Sequence, residues 1–208
     1  MVDLPLGEKA LRTLIQEVDA VLVTHLHRDH WDSRAQELIP KDKLILCQPT
    51  DVDTIRQQFK TVRSFELFVW NEIRFFRTGG QHGTGEVGKQ MGTVSGIVLQ
   101  YGAESVYIAG DTVWCDDVQQ ALQTYQPRWI VVNAGAAQFL QGGPVTMTSD
   151  DVITVCQRAP SATVIAVHMD VVNHCSLHRS ELSRALTQAG LAQRCRIPAD
   201  GETIHFAT

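Results

Sequence analysis

The apolar run Ala20-Val21-Leu22-Val23 leads directly into Thr24-His25-Leu26-His27-Arg28-Asp29-His30. A short apolar run before such a polar string reads as a buried strand that ends at a surface. Side chains two apart on an extended chain point the same way, so His25 and His27 close on one point. Asp29 and His30 follow after the chain turns past the strand end, and they face a second point. Four candidate metal ligands therefore fall within six positions.

Elsewhere, short apolar runs alternate with amphipathic segments, the pattern of an α/β protein whose helices cover sheets. Strands are expected at 20–24, 43–47, 64–68, 72–77, 95–101, 105–109, 129–132 and 163–167, and helices at 7–18, 33–39, 50–59, 116–125, 149–159 and 179–190. Asp51, Ser149 and Ser180 stand near helix starts as capping residues. The Gly-rich stretches 78–88 and 134–143 follow strands directly and read as loops within one domain spanning 1–208.

A chain of 208 residues, 44% apolar and 20% charged, can build one sizeable core. Its longest apolar runs are too short to span a bilayer, and no secretory signal precedes residue 10, so a cytoplasmic address is expected. The net charge of −5, with no dense basic run, disfavours nucleic acid as the main partner and leaves a small-molecule substrate. The five cysteines form no C-x-x-C pair; four are expected to be buried small hydrophobes, and no thiolate metal site is expected.

Three more candidates stand just beyond strands: His82 in Gly79-Gly80-Gln81-His82-Gly83, Asp111 after Val106-Tyr107-Ile108-Ala109-Gly110, and His168 after Thr163-Val164-Ile165-Ala166-Val167. The resulting set is His25, His27 and His82 for one ion, and Asp29, His30 and His168 for another, with Asp111 between them. Nitrogen and carboxylate donors without thiolate suit zinc, manganese or iron.

The order H-x-H-x-D-H, then His, Asp and His, resembles the metallo-β-lactamase superfamily of metal-dependent hydrolases. Thr24 to Asp32 (THLHRDHWD), Gly110-Asp111-Thr112 and the stretch from His168 to His174 are most similar to its group containing L-ascorbate-6-phosphate lactonase. The resemblance, which runs from about Ala20 to Glu202, implies a four-layer αββα sandwich and two divalent ions, zinc or manganese first and iron third. Relatives usually begin with two or more strands before the histidine motif, whereas 24 residues precede His25 here, and Asp3 has no strand pattern around it. By resemblance the first strands are lacking, which would leave a sheet edge open to a partner subunit; such relatives are often homo-oligomers.

A pair of ions holding a bridging water would supply hydroxide at neutral pH. Asp29 is assigned a double role, as ligand and as the carboxylate that orients or deprotonates that water, while Asp111 bridges the ions. His174 is the candidate proton donor to the leaving group; His178 and His205, the latter expected on an edge strand, receive no role. Trp31 and Trp114, which follow ligand motifs, are expected in the core or as walls of the substrate cleft. The expected substrate is a small anionic molecule, a lactone or sugar-phosphate lactone first. The rival readings are a phosphodiesterase, an iron-dependent oxygen or persulfide enzyme, and a non-catalytic subunit stabilised by metal.

Overall fold

A computed structural model describes residues 6–170 and 173–205. The helices α1 (Glu8–Glu17), α2 (Ser33–Leu38) and α3 (Val52–Arg56) lie among the parallel strands β1 (Ala20–Val23), β2 (Leu44–Cys47) and β3 (Val62–Ser64), which pair in that order. Seven further strands make the second sheet: β4 (Leu67–Trp70), β5 (Ile73–Thr78), β6 (Gly96–Tyr101), β7 (Glu104–Ile108), β8 (Trp129–Asn133), β9 (Thr163–Val167) and β10 (Cys195–Arg196). They lie side by side in the order β10-β9-β8-β7-β6-β5-β4. Helices α4 (Gly85–Met91), α5 (Asp116–Tyr125), α6 (Ser149–Arg158) and α7 (Arg179–Gln188) complete the chain.

Alternation along the strands builds four layers. In β2, Ile45 and Cys47 pack with Ile15, Ile39 and Ile55 on the helical side, while Leu46 turns inward to Phe65, Phe75 and Ile97 between the sheets. In β6, Ile97 and Leu99 share that inner layer, and Val98 faces Val118, Val152 and Leu182 of α5, α6 and α7. The period-two pattern thus gives each sheet one face for its partner sheet and one for its helices. The expected αββα sandwich is present. Strand β1 is an edge of its sheet, with β2 as its neighbour among the described residues.

Several local expectations are corrected. The run 64–68 is not one strand: β3 and β4 belong to different sheets, and Phe65, fully buried, marks the crossing. The segment 50–59 begins as a 3₁₀ turn at Pro49–Asp51 and continues as α3 only to Arg56. Helix α4 begins inside the stretch 78–88 expected to be loop and runs on past it to Met91, and β10 was not expected. Helix α6 is capped by Thr148 in a reciprocal box with Asp151, rather than by Ser149, and α7 by His178 rather than Ser180. Asp51 precedes α3 without a side-chain capping bond. Three cysteines are buried, not four, since Cys115 and Cys175 are partly exposed. Residues 202–205 form no strand and His205 is exposed. Trp31 and Trp114 do pack against core clusters, one of the two places expected for them, Trp31 with its ring 5.5 Å from Phe59. Asp3, Val171 and Val172 lie outside the described residues.

Candidate metal centre

Strands β5, β7, β8 and β9 all run in one direction, because β6 is antiparallel to both β5 and β7 while β7, β8 and β9 are parallel. Their carboxyl ends share one rim of the sheet, where His82, Asp111 and His168 follow β5, β7 and β9. The loop after β1 brings His25, His27, Asp29 and His30 to the same rim from the other sheet. Ligand atoms of His25, His27 and His82 lie within 4.8 Å of one another, as do those of Asp29, His30, Asp111 and His168. The seven candidates therefore meet in two groups. His174 is not in either; its ring stacks on Phe139 at 5.8 Å and 12°. His178 bonds Asp170 Oδ1 at 2.7 Å.

In the first group His27 Nδ1 lies 3.1 Å from His25 Nε2 and 3.3 Å from His82 Nε2. His82 Nδ1 stands 2.7 Å from the Val145 carbonyl oxygen, which can only accept, so Nδ1 carries the hydrogen and Nε2 keeps its lone pair. Burial, with the charge of His30 adding to it, pushes His25 down to about 3 against the pull of Asp111, and burial also lowers His82. Neutral imidazoles whose lone pairs converge suit a cation better than one another.

The second group turns on Asp111, which is buried. Its Oδ2 is 3.2 Å from His30 Nε2, 3.5 Å from His82 Nε2 and 3.7 Å from His25 Nε2, so it touches both groups. Asn133 Nδ2, at the end of β8, donates to Oδ1 at 2.6 Å. Burial opposes its charge, but His30, His168 and Asn133 outweigh burial and hold the carboxyl well below the usual range. The neighbouring His168 imidazole holds Asp29 down at about 2. Burial works to lower His168, but Asp29, Cys175 and Asp111 together raise it to about 10.

His168 Nε2 lies 3.3 Å from Asp29 Oδ2 and 3.9 Å from Asp111 Oδ1, yet it is buried and forms no hydrogen bond to either. An orphaned ring nitrogen between two carboxylates fits a metal ligand, since a buried donor is costly to leave unpaired. The residues present thus fit a bound metal.

Backbone geometry holds this rim open. Gly110 has φ +69°, and a Cβ there would stand 2.8 Å from the Ser95 carbonyl oxygen, so glycine is required directly before Asp111. His168 itself has φ 59°, a conformation that costs an L residue about 1–3 kcal/mol and persists where the surroundings impose it. Cys175 contributes, its Sγ lying 3.5 Å from the His168 carbonyl oxygen. Asn133, Val145 and Cys175 were not singled out from sequence. Only Asn133 carried a signal: like His82, Asp111 and His168, it comes at the carboxyl end of a strand.

The fold and the His/Asp cluster define a metal-dependent hydrolase of the β-lactamase superfamily, and the family description "Beta-lactamase superfamily domain" matches residues 5–169. The chain belongs to this superfamily and, within it, to the UPF0173 family. UPF0173 protein YddR of Bacillus subtilis is 38% identical over 202 residues, 95% of this chain and 80% of that protein. The crystal structure of isothiocyanate hydrolase from Delia radicum gut bacteria aligns with TM-score 0.90 and 37% identity, over 98% of this chain and 82% of that one. A possible metal-dependent hydrolase from Veillonella parvula aligns with TM-score 0.91 and 38% identity, over 98% and 81%. Among the described residues no helix is long and apolar enough to cross a membrane.

Proposed function

We propose that the two groups each hold one divalent ion, zinc or manganese before iron, and that the protein hydrolyses a small uncharged carbon electrophile. The observation that carries this reading is Asp111 Oδ2, within 3.2–3.7 Å of imidazoles from both groups, so that this carboxylate could serve an ion in either one. Ions held there by these residues would lower the pKa of a water to roughly 7 and polarise the bond under attack. Asp29, the most exposed of the acidic pair at 27% against 4% for Asp111, orients that water and accepts its proton. His174 returns a proton to the leaving group.

The 37% identical isothiocyanate hydrolase supports R–N=C=S as the first substrate. The water oxygen bonds to the central carbon, the C–N bond breaks, both hydrogens end on nitrogen, and the products are R–NH₂ and O=C=S. An isothiocyanate group is uncharged, so this reading departs from the anionic substrate expected from the sequence. A lactone is the second substrate, favoured by the THLHRDHWD and Gly110-Asp111-Thr112 stretches.

The test is elemental mass spectrometry of protein supplied with zinc or manganese, followed by amine release from isothiocyanates and ring opening of lactones. Two ions per chain are expected, with turnover abolished by Asp29→Ala. One ion or none after supplementation, or turnover indifferent to Asp29→Ala, would falsify the reading.

A further inference from the structure

Three of the candidate ligands present Nε2 to the metal centre and have a partner behind them at Nδ1. His25 Nδ1 lies 3.0 Å from Thr24 Oγ1, and His82 Nδ1 lies 2.7 Å from the Val145 carbonyl oxygen. The third is His168, whose Nε2 stands between Asp29 and Asp111. Its Nδ1 meets sulfur: Cys175 Sγ, 3.9 Å away, is the partner of this nitrogen among the described residues. Cys175 belongs to neither ligand group, and its sulfur touches the ring at the nitrogen that the carboxylates do not face.

The place of that sulfur is set by backbone. Residues 135–137 run alongside 175–177: Leu177 N–H donates to Gly135 O at 3.0 Å, Ser176 Oγ–H to Ala136 O at 2.8 Å, and Ala137 bridges Cys175. Glycine at 135 permits the approach, because a Cβ there would stand 2.3 Å from Cys175 Sγ and 2.5 Å from the His168 carbonyl oxygen. Just before it, Ala134 N–H bonds Val167 O at 2.9 Å, so the strand end that carries His168 is anchored to the same segment. The sulfur also lies 3.5 Å from the His168 carbonyl oxygen, which can only accept. The thiol hydrogen therefore goes to that oxygen, and the sulfur lone pairs are left to accept from Nδ1. A neutral imidazole with its hydrogen on Nδ1 keeps the lone pair on Nε2, the form a metal ligand needs.

We infer that Cys175 is a positioning residue, whose thiol takes the Nδ1 hydrogen of His168 and so points Nε2 at the place of the ion held with Asp29 and His30. This rests on the two-ion reading. The effect falls on one ion, since His25 and His82 have their own partners behind Nδ1. Removing such partners weakens metal binding by roughly 10–100-fold, and sulfur, a weaker acceptor than oxygen, belongs at the lower end.

Zinc binding to the parent, Cys175→Ala and Cys175→Ser is measured by competition with a chromogenic chelator, beside melting of the metal-free proteins. The parent should take two ions. Cys175→Ala should weaken one of them about tenfold and leave the other within about twofold. The serine hydroxyl, which accepts and donates in the same order, should recover most of the loss. In metal-free parent, NMR should show the His168 Nδ1 hydrogen in Overhauser contact with the Cys175 β-protons, and Cys175→Ala should speed its exchange with water. Unchanged affinity, both ions weakened equally, or a serine variant as weak as the alanine one overturns the inference and leaves the sulfur as filling above Gly135. So does a parent without the Overhauser contact, a result that no folding defect of a variant can affect. If the parent binds fewer than two ions, the two-ion reading fails on its own, and the NMR comparison still decides whether Cys175 holds the ring.

Discussion

Asn133→Ala removes a neutral side chain that donates a hydrogen bond to the Asp111 carboxylate. Asn133 ends β8, is 8% exposed, and places Nδ2 2.6 Å from Asp111 Oδ1. With it gone, the nearest charged neighbour of Oδ1 is His168 Nε2 at 3.9 Å, outside hydrogen-bond range. A hydrogen bond to a charged group contributes about 1.5–3 kcal/mol, and about 1.4 kcal/mol is a factor of ten in affinity. The expected weakening of metal binding is then about 12- to 140-fold, close to the roughly 10–100-fold seen when partners of metal ligands are removed. Zinc affinity is read by competition with a chromogenic chelator, alongside melting of the metal-free protein. Affinity within about twofold of the parent, with only the metal-free melting temperature lowered, would mean that Asn133 supports the fold alone.

Asp111→Asn is expected to weaken both ions together in the same competition assay; loss of a single ion contradicts a shared ligand. Gly110→Ala places a Cβ 2.8 Å from the Ser95 carbonyl oxygen at φ +69°, and denaturant titration should show a loss above about 1 kcal/mol. His25 sits at about 3 in the metal-free fold against 6.5 when unfolded. Between those values the unfolded chain binds a proton that the folded chain refuses, so the contribution is complete above pH 6.5 and is lost as pH falls toward 3. Metal-free parent should therefore lose more melting temperature over that window than His25→Gln, and parallel profiles would refute the assignment. Burial pushes the Cys47 thiol up to about 12, so iodoacetamide at pH 8 should leave Cys47 unmodified in native protein by peptide mass spectrometry, with alkylation appearing on unfolding.

The sequence made the metal centre legible because its ligands occupy one recurrent place, the first turn beyond a strand, and the strands are compact apolar runs. The signals failed where a contact distant in the chain sets the local structure. Helix α4 hides behind glycines, yet Gly88 is needed because a Cβ would stand 2.4 Å from the Gly83 carbonyl oxygen. The composition that reads as loop is there a close approach of two backbones. The run from Ser64 to Phe68 carries no Gly or Pro, but its backbone changes partner within two positions: Phe65 N–H bonds Cys47 O of one sheet, and Glu66 O accepts from Arg77 N–H of the other, while Ser64 Oγ accepts from Glu66 N–H at 3.2 Å. Asn133 reads as a strand end until Asp111, 22 positions away, comes within 2.6 Å.

The division of ligands between the sheets has a mechanical consequence. Each group takes residues from the β1 loop and residues from the seven-stranded sheet, so an ion in either one ties the sheets at the same rim. The buried layer between the sheets consists of Leu46, Phe65, Phe75 and Ile97 with flanking partly buried side chains, a smaller cluster than the one beneath α5, α6 and α7. Without ions, the cross-links left at this rim include the His168–Asp29 pair at 3.3 Å and the His30–Asp111 pair at 3.2 Å. Ligands that bind only the folded state stabilise it in proportion to the logarithm of their excess over Kd, about 2.7 kcal/mol at a hundredfold excess. That stabilisation acts where the β1–β3 sheet meets its partner, so metal removal should raise hydrogen exchange in β1 and β2 before it reaches β8 and β9.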